Sequence, residues 1–387
     1  MSCYHPLKGF ILPPETNKSN KVKLENEDKK NNIKVTGYNV HHLELDSNGH
    51  WKPAYDDFRS PYAHKVANEY IDIPCGKCIG CRLDYSRQWA DRLMMEMKYH
   101  DKAYFLTLTY DDDHIPYNHY VTDNGIIDCP DVDFKRGINA RKLLLPAPWL
   151  DEETGETGFR PSLHKRDVQL FHKRLREDKQ VVEDGQAIRY FTAGEYGDKT
   201  LRPHYHSIEF GLEIPDLKVY KVCDGYNLYT SEYLNEIWKM GHVIIGDCTW
   251  ETCAYTARYI MKKQKGKEAN EYLRLDIEPE FVLMSRKPGI GSAYFEEFGE
   301  ELYHFRTVPI PTKTGAISIS STNKYFDGKL SASNPERFDE VKQKRIEAAK
   351  HTEILRDAQT SMNKLDRLLA EEEVKIAQTK SLIRLDN

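Results

Sequence analysis

Two histidines stand one residue apart in RPHYHSIEFG (residues 202–211), at the start of a run that alternates like a β-strand. Side chains at i and i+2 of a strand share a face, so His204 and His206 lie side by side, about 7 Å apart at Cα, and can grip one cation. Glu195, in FTAGEYG, lies nine residues before His204. That spacing lets a strand, a short turn and a return strand bring a carboxylate beside the imidazoles. Two nitrogens and an oxygen with open positions suit Mg²⁺ or Mn²⁺ acting on a phosphate better than a closed structural zinc site. Singly, the histidines also read as hydrogen-bonding strand residues and Glu195 as a solvated turn acid; their conjunction is what points to chemistry.

CAYTARYIMKK supplies a nucleophile for such a site. Tyr255 and Tyr259 are four apart on a predicted helix, so both phenols project from one face, with Lys262 and Lys263 about one turn further on. A tyrosine can attack phosphorus, but a phenol with a pKa near 10 stays protonated at neutral pH unless a cation, a base or a polarised phosphate assists it. YxxxY alone also describes an amphipathic helix burying its tyrosines.

A second set of metal ligands is CGKCIGC, residues 75–81. Its two overlapping C-x-x-C units, with Gly76 and Gly80 permitting tight turns, suit a zinc knuckle of Cys75, Cys78 and Cys81, with Cys3 or His5 as the fourth ligand. An iron–sulfur cluster is the alternative, although the fourth position of the ferredoxin run is Tyr85 rather than cysteine. Three free thiols at a helix entrance is the third reading.

The surrounding elements must position these groups. CRLDYSRQWADRLMMEMK (81–98) has Leu83, Trp89, Leu93 and Met97 at helical spacing, and AYFLTLTY (103–110) reads as a strand. SLHKRDVQLFHKRLRE is an amphipathic helix with Leu163, Leu170, Phe171 and Leu175 inside. Strands AIRYFTAGE and HYHSIEFGL follow, then a helix (SEYLNEIWKMG), a strand (HVIIGDC) and the tyrosine helix TWETCAYTARYIMKKQ. Helices on an antiparallel sheet make an α+β domain. Asn48 and Gly49 predict a hairpin turn. The expected organisation is a polar N-terminal segment (1–81) with the knuckle and a core (82–265) holding an acidic insertion or mobile loop at about 111–160. An accessory segment (266–330) and a charged helical tail (331–387) follow.

The 387 residues, 39% hydrophobic and 30% charged, fit a soluble intracellular protein. No run approaches the roughly 18 apolar residues of a membrane span, the N-terminus has no signal-peptide core, and eight cysteines do not make a dense disulfide framework. A net charge of −5 argues for nucleic-acid contact only through local patches. Between Arg160 and Arg176 stand Arg160, Lys165, Arg166, Lys173, Arg174 and Arg176 against one acid, Asp167; with Arg202 these are the candidate DNA-binding residues, a solvated helix face being the alternative. In the tail, Val341, Ala348, Leu355, Met362, Leu369, Ile376 and Ile383 recur every seven residues, a stripe for a long helix that dimerises, docks on a partner or stays solvated.

FLTLTY, PHYH and YTARYIMKK, in that order, resemble the three motifs of HUH-type rolling-circle replication initiators, with Tyr205 as the bulky middle residue. IPCGKCIGCRLDYSRQWADR, VQLFHKRLR, TAGEYG, RPHYHSIEFG and LMSRKPGIG more closely resemble the initiators of gokushovirus-type microviruses, over roughly residues 70–295. The resemblance implies an HUH endonuclease core, and a metal on His204 and His206, with Glu195 as third ligand, acting on single-stranded origin DNA. It further implies a 5′-phosphotyrosine and a 3′-OH that primes a host polymerase, within the host bacterial cytoplasm. No G-x-x-x-x-G-K-[ST] loop is present, so unwinding falls to a host helicase. A water-using metal phosphodiesterase and a zinc-stabilised single-stranded DNA-binding protein without catalysis are the competing functions.

Overall fold

The computed structural model describes residues 3–12, 33–54, 66–151, 154–178, 187–197, 200–223, 226–259, 269–299, 301–305, 307–312, 315–320 and 323–379. They fall into two compact units, Met1–Asp84 with Glu347–Leu385, and Tyr85–Ile346.

The second unit is α+β, built on a seven-stranded antiparallel sheet. Its strands in chain order are β1 (Ala103–Tyr110), β2 (Arg189–Tyr196), β3 (Pro203–Phe210), β4 (Lys218–Cys223), β5 (Tyr226–Thr230), β6 (Gly241–Asp247) and β7 (Phe281–Met284). They lie side by side in the order β4-β5-β6-β1-β3-β2-β7. Strand alternation divides the residues between two faces. On one face Leu106, Leu108, Tyr110 and Tyr205 pack with helices α2 (Lys165–Glu177) and α3 (Glu232–Trp238) through Val168, Phe171, Leu175 and Trp238. On the other, Phe191, Ile208 and Phe210 pack with helices α1 (Ile79–Met97) and α4 (Trp250–Arg258) through Trp89, Leu93, Met94, Cys253 and Ala257. Each fully buried large apolar side chain in these layers contributes roughly 1.5–3 kcal/mol. Helix α4 is started by a capping box in which the Thr249 and Thr252 side chains each receive the other's backbone N–H. It ends at Arg258, with Tyr259 as its C-cap, so it is shorter than the sequence pattern predicts within the described residues.

A buried polar network fastens the sheet to α2. Arg141 donates from both terminal nitrogens to Asp167, at 2.7 and 2.8 Å, with both side chains 1% exposed. Tyr110 donates to the same carboxylate at 2.7 Å and lies 2.9 Å from the Tyr205 hydroxyl, which in turn receives the His164 backbone N–H at 2.9 Å. Gly194 sits opposite Tyr205, where a Cβ would come within 3.1 Å of its ring; glycine is what lets the tyrosine lie flat there. Because Arg141 belongs to the acidic stretch after β1, that stretch is not a mobile loop. It carries short strands at His119–Thr122, Gly125–Asp128, Leu145–Pro146, Trp149–Leu150 and Thr157–Gly158, and it buries Tyr120 and Trp149.

LMSRKPGIG also has a structural explanation. Arg92 of α1 donates to the Ile290 carbonyl at 2.8 Å, and Glu96 accepts the Gly291 N–H at 2.6 Å. The motif thereby clamps α1 against the sheet.

The first unit contains two three-stranded antiparallel sheets. One orders Ile33–Thr36, Leu7–Ile11 and Tyr70–Ile73; the other orders Trp51–Ala54, His42–Leu45 and Val66–Ala67. The expected hairpin turn is present, with Gly49 at φ +77° and Asp46 accepting the Asn48 N–H at 2.9 Å. The tail differs from expectation. It is two helices, Pro335–Ala358 and Lys364–Thr379, the second capped by Asn363, whose side chain accepts the Asp366 N–H at 3.0 Å. The heptad stripe is split by this break, and Leu355, Met362, Leu369 and Ile376 are about half exposed. Ile383 lies outside the described residues.

Removing one partner of a buried ion pair leaves a stranded charge, so Arg141→Ala is expected to cost about 3–5 kcal/mol. A lowered urea midpoint would register this. Burial pushes the Asp167 carboxyl up, but the His164 hydrogen bond and the Arg141 charge outweigh it and hold the group below the usual carboxylate range. Its contribution is therefore complete above the unfolded value of about 4 and is lost as pH falls below it; an Asp167→Asn variant should show a flatter acid limb.

Candidate active site

β3 carries His204 and His206 on the face opposite Tyr205, and β2 lays Glu195 directly across from His204. Both histidine Nε2 atoms point at one oxygen, Glu195 Oε1, at 2.7 and 3.0 Å. The three ligand atoms lie within 4.8 Å of one another. Each ring is held by its other nitrogen: His204 Nδ1 donates to the Arg202 carbonyl at 3.2 Å, and His206 Nδ1 lies 3.1 Å from Thr107 Oγ1 on β1. Fixing Nδ1 in this way leaves Nε2 as the ligating atom, as metal-binding histidines require. Burial pushes the Glu195 carboxyl up, yet its hydrogen bonds to His204 and His206 dominate and hold it well below the usual carboxylate range. A charged oxygen and two oriented imidazoles fit a divalent cation with positions left open for substrate.

The tyrosines of α4 close over these ligands. The His206 ring is sandwiched, stacked on Phe105 at 5.3 Å (10° between planes) and on Tyr259 at 5.0 Å (12°). Tyr255 meets the same imidazole edge-on at 5.1 Å, and the two phenol rings are 4.9 Å apart. Tyr259 is 6% exposed and hydrogen-bonds Glu195; burial first, then the Glu195 charge, pushes its phenol far above the ordinary value. Tyr255 is 40% exposed. Lys262 and Lys263 lie outside the described residues.

The structure thus assembles Glu195, His204, His206, Tyr255 and Tyr259, and adds Phe105 and Thr107. Those two lie i, i+2 on the same face of β1, inside FLTLTY, but nothing in their residue types marked them individually.

The basic helix lies elsewhere. α2 packs on the Tyr205 face, where buried His172 contacts Glu209 at 2.8 Å, so its cations are across the sheet from the metal ligands. Lys165 pairs with Glu278, Arg166 with Asp131 at 3.3 Å and Lys173 with Glu177 at 3.7 Å. Arg174 donates to the Ile237 and Trp238 carbonyls at the end of α3. Arg160 and Arg176 sit over the Trp149 and Tyr190 rings. Arg202, two residues from His204, binds Asp112 at 2.7 Å and the Tyr110 carbonyl at 2.8 Å.

In the first unit, Cys3, Cys75, Cys78 and Cys81 converge, their sulfurs within 4.8 Å of one another. His5, the alternative fourth ligand, pairs with Glu372 instead.

Fold and site together define an α+β protein whose antiparallel sheet bears a two-histidine, one-carboxylate centre faced by two tyrosines. A family model of the "Replication-associated protein ORF2" type matches residues 153–264, a span holding all five of these residues. The chain is 33% identical over 303 residues to "Replication-associated protein ORF2" of Spiroplasma virus 4, covering 76% of this chain and 80% of the relative. It is 28% identical over 280 residues to "Replication-associated protein VP4" of Bdellovibrio phage phiMH2K, covering 71% and 73%. "Replication-associated protein ORF4" of Chlamydia phage 1 is also 28% identical, over 205 residues that cover 52% of this chain and 40% of that protein. The chain belongs to this family of microvirus replication-associated proteins. No solved structure matches it significantly. Among the described residues, no helix is long and apolar enough to cross a membrane.

The Thr107 contact predicts a measurable effect. Thr107→Val keeps the shape of the side chain but removes the oxygen that orients His206, and should weaken Mn²⁺ binding about 10-fold while leaving the melting temperature nearly unchanged. His204→Ala with His206→Ala should abolish Mn²⁺ binding at this site in the same titration, followed by electron paramagnetic resonance.

Proposed function

We propose that this protein starts and ends rolling-circle replication by cutting and rejoining single-stranded origin DNA through a tyrosine ester. The observation that carries the reading is the packing of both phenol rings against the imidazole of one candidate ligand, His206. Two nucleophiles in reach of one centre are of no use to a hydrolase that employs water, and suit a reaction in which one tyrosine is occupied while the other attacks. A divalent cation, Mg²⁺ or Mn²⁺, on Glu195, His204 and His206 would polarise the scissile phosphodiester and offset charge gathering on its oxygens.

The chain's own residues supply the rest. Tyr255 is the more accessible phenol and takes the first strand: its Oη forms a bond to phosphorus as the P–O3′ bond breaks, and the phenolic proton is balanced by the one gained at the new 3′-OH. Tyr259, held back by Glu195, cuts the regenerated origin in the same way. The 3′-OH that this second cut frees attacks the first phosphotyrosine, which closes the circle and restores Tyr255. Phosphoester bonds are conserved throughout, so strand transfer needs no nucleotide. His204 and Glu195 face the metal position from two strands of one sheet, which keeps the phosphate geometry fixed while the tyrosines exchange. The first 3′-OH is available to prime a host polymerase.

Covalent capture tests this reading. With an origin oligonucleotide and Mn²⁺, the protein should form an adduct that survives denaturation. Tyr255→Phe should slow its formation more than tenfold, at least about 1.4 kcal/mol in barrier, and Tyr259→Phe should slow it less. Each single variant should fail to release joined circles, and the double variant should form no adduct. Free cut ends without an adduct would instead identify a water-using nuclease, and an adduct on the double variant would dismiss the tyrosine pair.

A further inference from the structure

We propose that Cys3, Cys75, Cys78 and Cys81 hold a tetrahedral zinc ion that ties the start of the chain to the 75–81 loop and to the helix Lys364–Thr379 within the first unit. The argument begins with spacing. Four sulfurs about 2.3 Å from one zinc stand about 3.8 Å from each other. Cys3 Sγ and Cys78 Sγ are 3.9 Å apart, and all four sulfurs lie within 4.8 Å of one another. A disulfide would bring a pair to about 2.05 Å, and these cysteines are free. A four-iron cluster interposes its own iron and sulfide atoms and would spread the sulfurs much further than this.

The surroundings are those of thiolates. Backbone N–H groups point at three of the sulfurs: Cys75 donates to Cys3 Sγ at 3.2 Å, Lys77 and Cys78 to Cys75 Sγ at 3.4 and 3.3 Å, and Tyr4 to Cys78 Sγ at 3.4 Å. Such donors favour the negative sulfur, and four negative sulfurs this close require a cation among them. Gly76, at φ +72°, makes the turn that aims two of these N–H groups, a conformation that side chains rarely adopt. The soft donor set selects zinc over Mg²⁺ or Mn²⁺, which makes the site chemically distinct from the histidine centre. Tyr4, Ile79 and Leu368 pack around the sulfurs and exclude water from them. Through Leu368 the helix Lys364–Thr379 rests on the site, and His5 pairs with Glu372 of the same helix. The ion thus joins three parts of the chain that are far apart in sequence.

The test uses the full-length His204→Ala, His206→Ala protein, in which only the cysteine site should retain metal. Purified without added metal, it should contain about one zinc per chain by elemental analysis. Further substitution of Cys78→Ser should remove that zinc, and Cys129→Ser should not. Cobalt exchanged into the parent should show sulfur-to-cobalt charge transfer with tetrahedral ligand-field bands, a readout that stands even if Cys78→Ser fails to fold. Stripping the zinc should speed hydrogen exchange at least tenfold in both Leu7–Ile11 and Lys364–Thr379. A zinc-free or iron-containing parent, octahedral cobalt, zinc retained by Cys78→Ser, or unchanged exchange in the helix would each overturn the proposal.

Discussion

Everything in the candidate site depends on where one side chain is pinned. Tyr205 stands between the two histidines and must point away from them, because successive strand residues face opposite ways. Its hydroxyl is held by Tyr110 and the His164 backbone, and Tyr110 is held in turn by the Asp167–Arg141 pair. That network fixes the roll and height of β3 from behind. Given that anchor, His204 and His206 reach Glu195 without any loop having to order itself, and the ligands rest on the most extensively paired part of the sheet. Preorganisation of this kind is what phosphoryl chemistry demands, since little covalent assistance is available from the protein.

Patterns confined to one element were legible in the sequence. The period of two placed His204 and His206 on one face and, through a short turn, brought Glu195 opposite; the helical period put Tyr255 and Tyr259 together. The α+β class and the boundaries of β1, β3 and α2 followed from the same periodicities. What escaped were relations between elements. Arg141 and Asp167 are 26 residues apart, and nothing local marks an arginine inside an acidic stretch as a core residue. Thr107 and Phe105 look like ordinary strand residues until β1 is known to neighbour β3.

Two misreadings have a common origin. The basic run in α2 was counted as charge, but charge along a helix does not say which face of a sheet the helix covers. The amphipathic pattern buries Val168, Phe171 and Leu175 against Tyr205, and most of the cations beside them find carboxylates, carbonyls or rings nearby. Likewise the heptad count in the tail continues through residues 359–363 because spacing is indifferent to a turn, whereas the helix cap at Asn363 is not. In both, a one-dimensional tally was right about the residues and silent about the direction they take.

The alternation along β3 makes the sheet a two-sided object, with chemistry printed on one side and cohesion on the other. A slip of one residue in strand register would exchange the sides entirely, burying imidazoles in the apolar layer and turning Tyr205 out. No half-correct register exists in which the ligands are loosely assembled and the fold intact. With DNA cutting as the proposed chemistry, misfolded copies would therefore be inert rather than indiscriminate, a safeguard that follows from pleat geometry and requires no separate inhibitor.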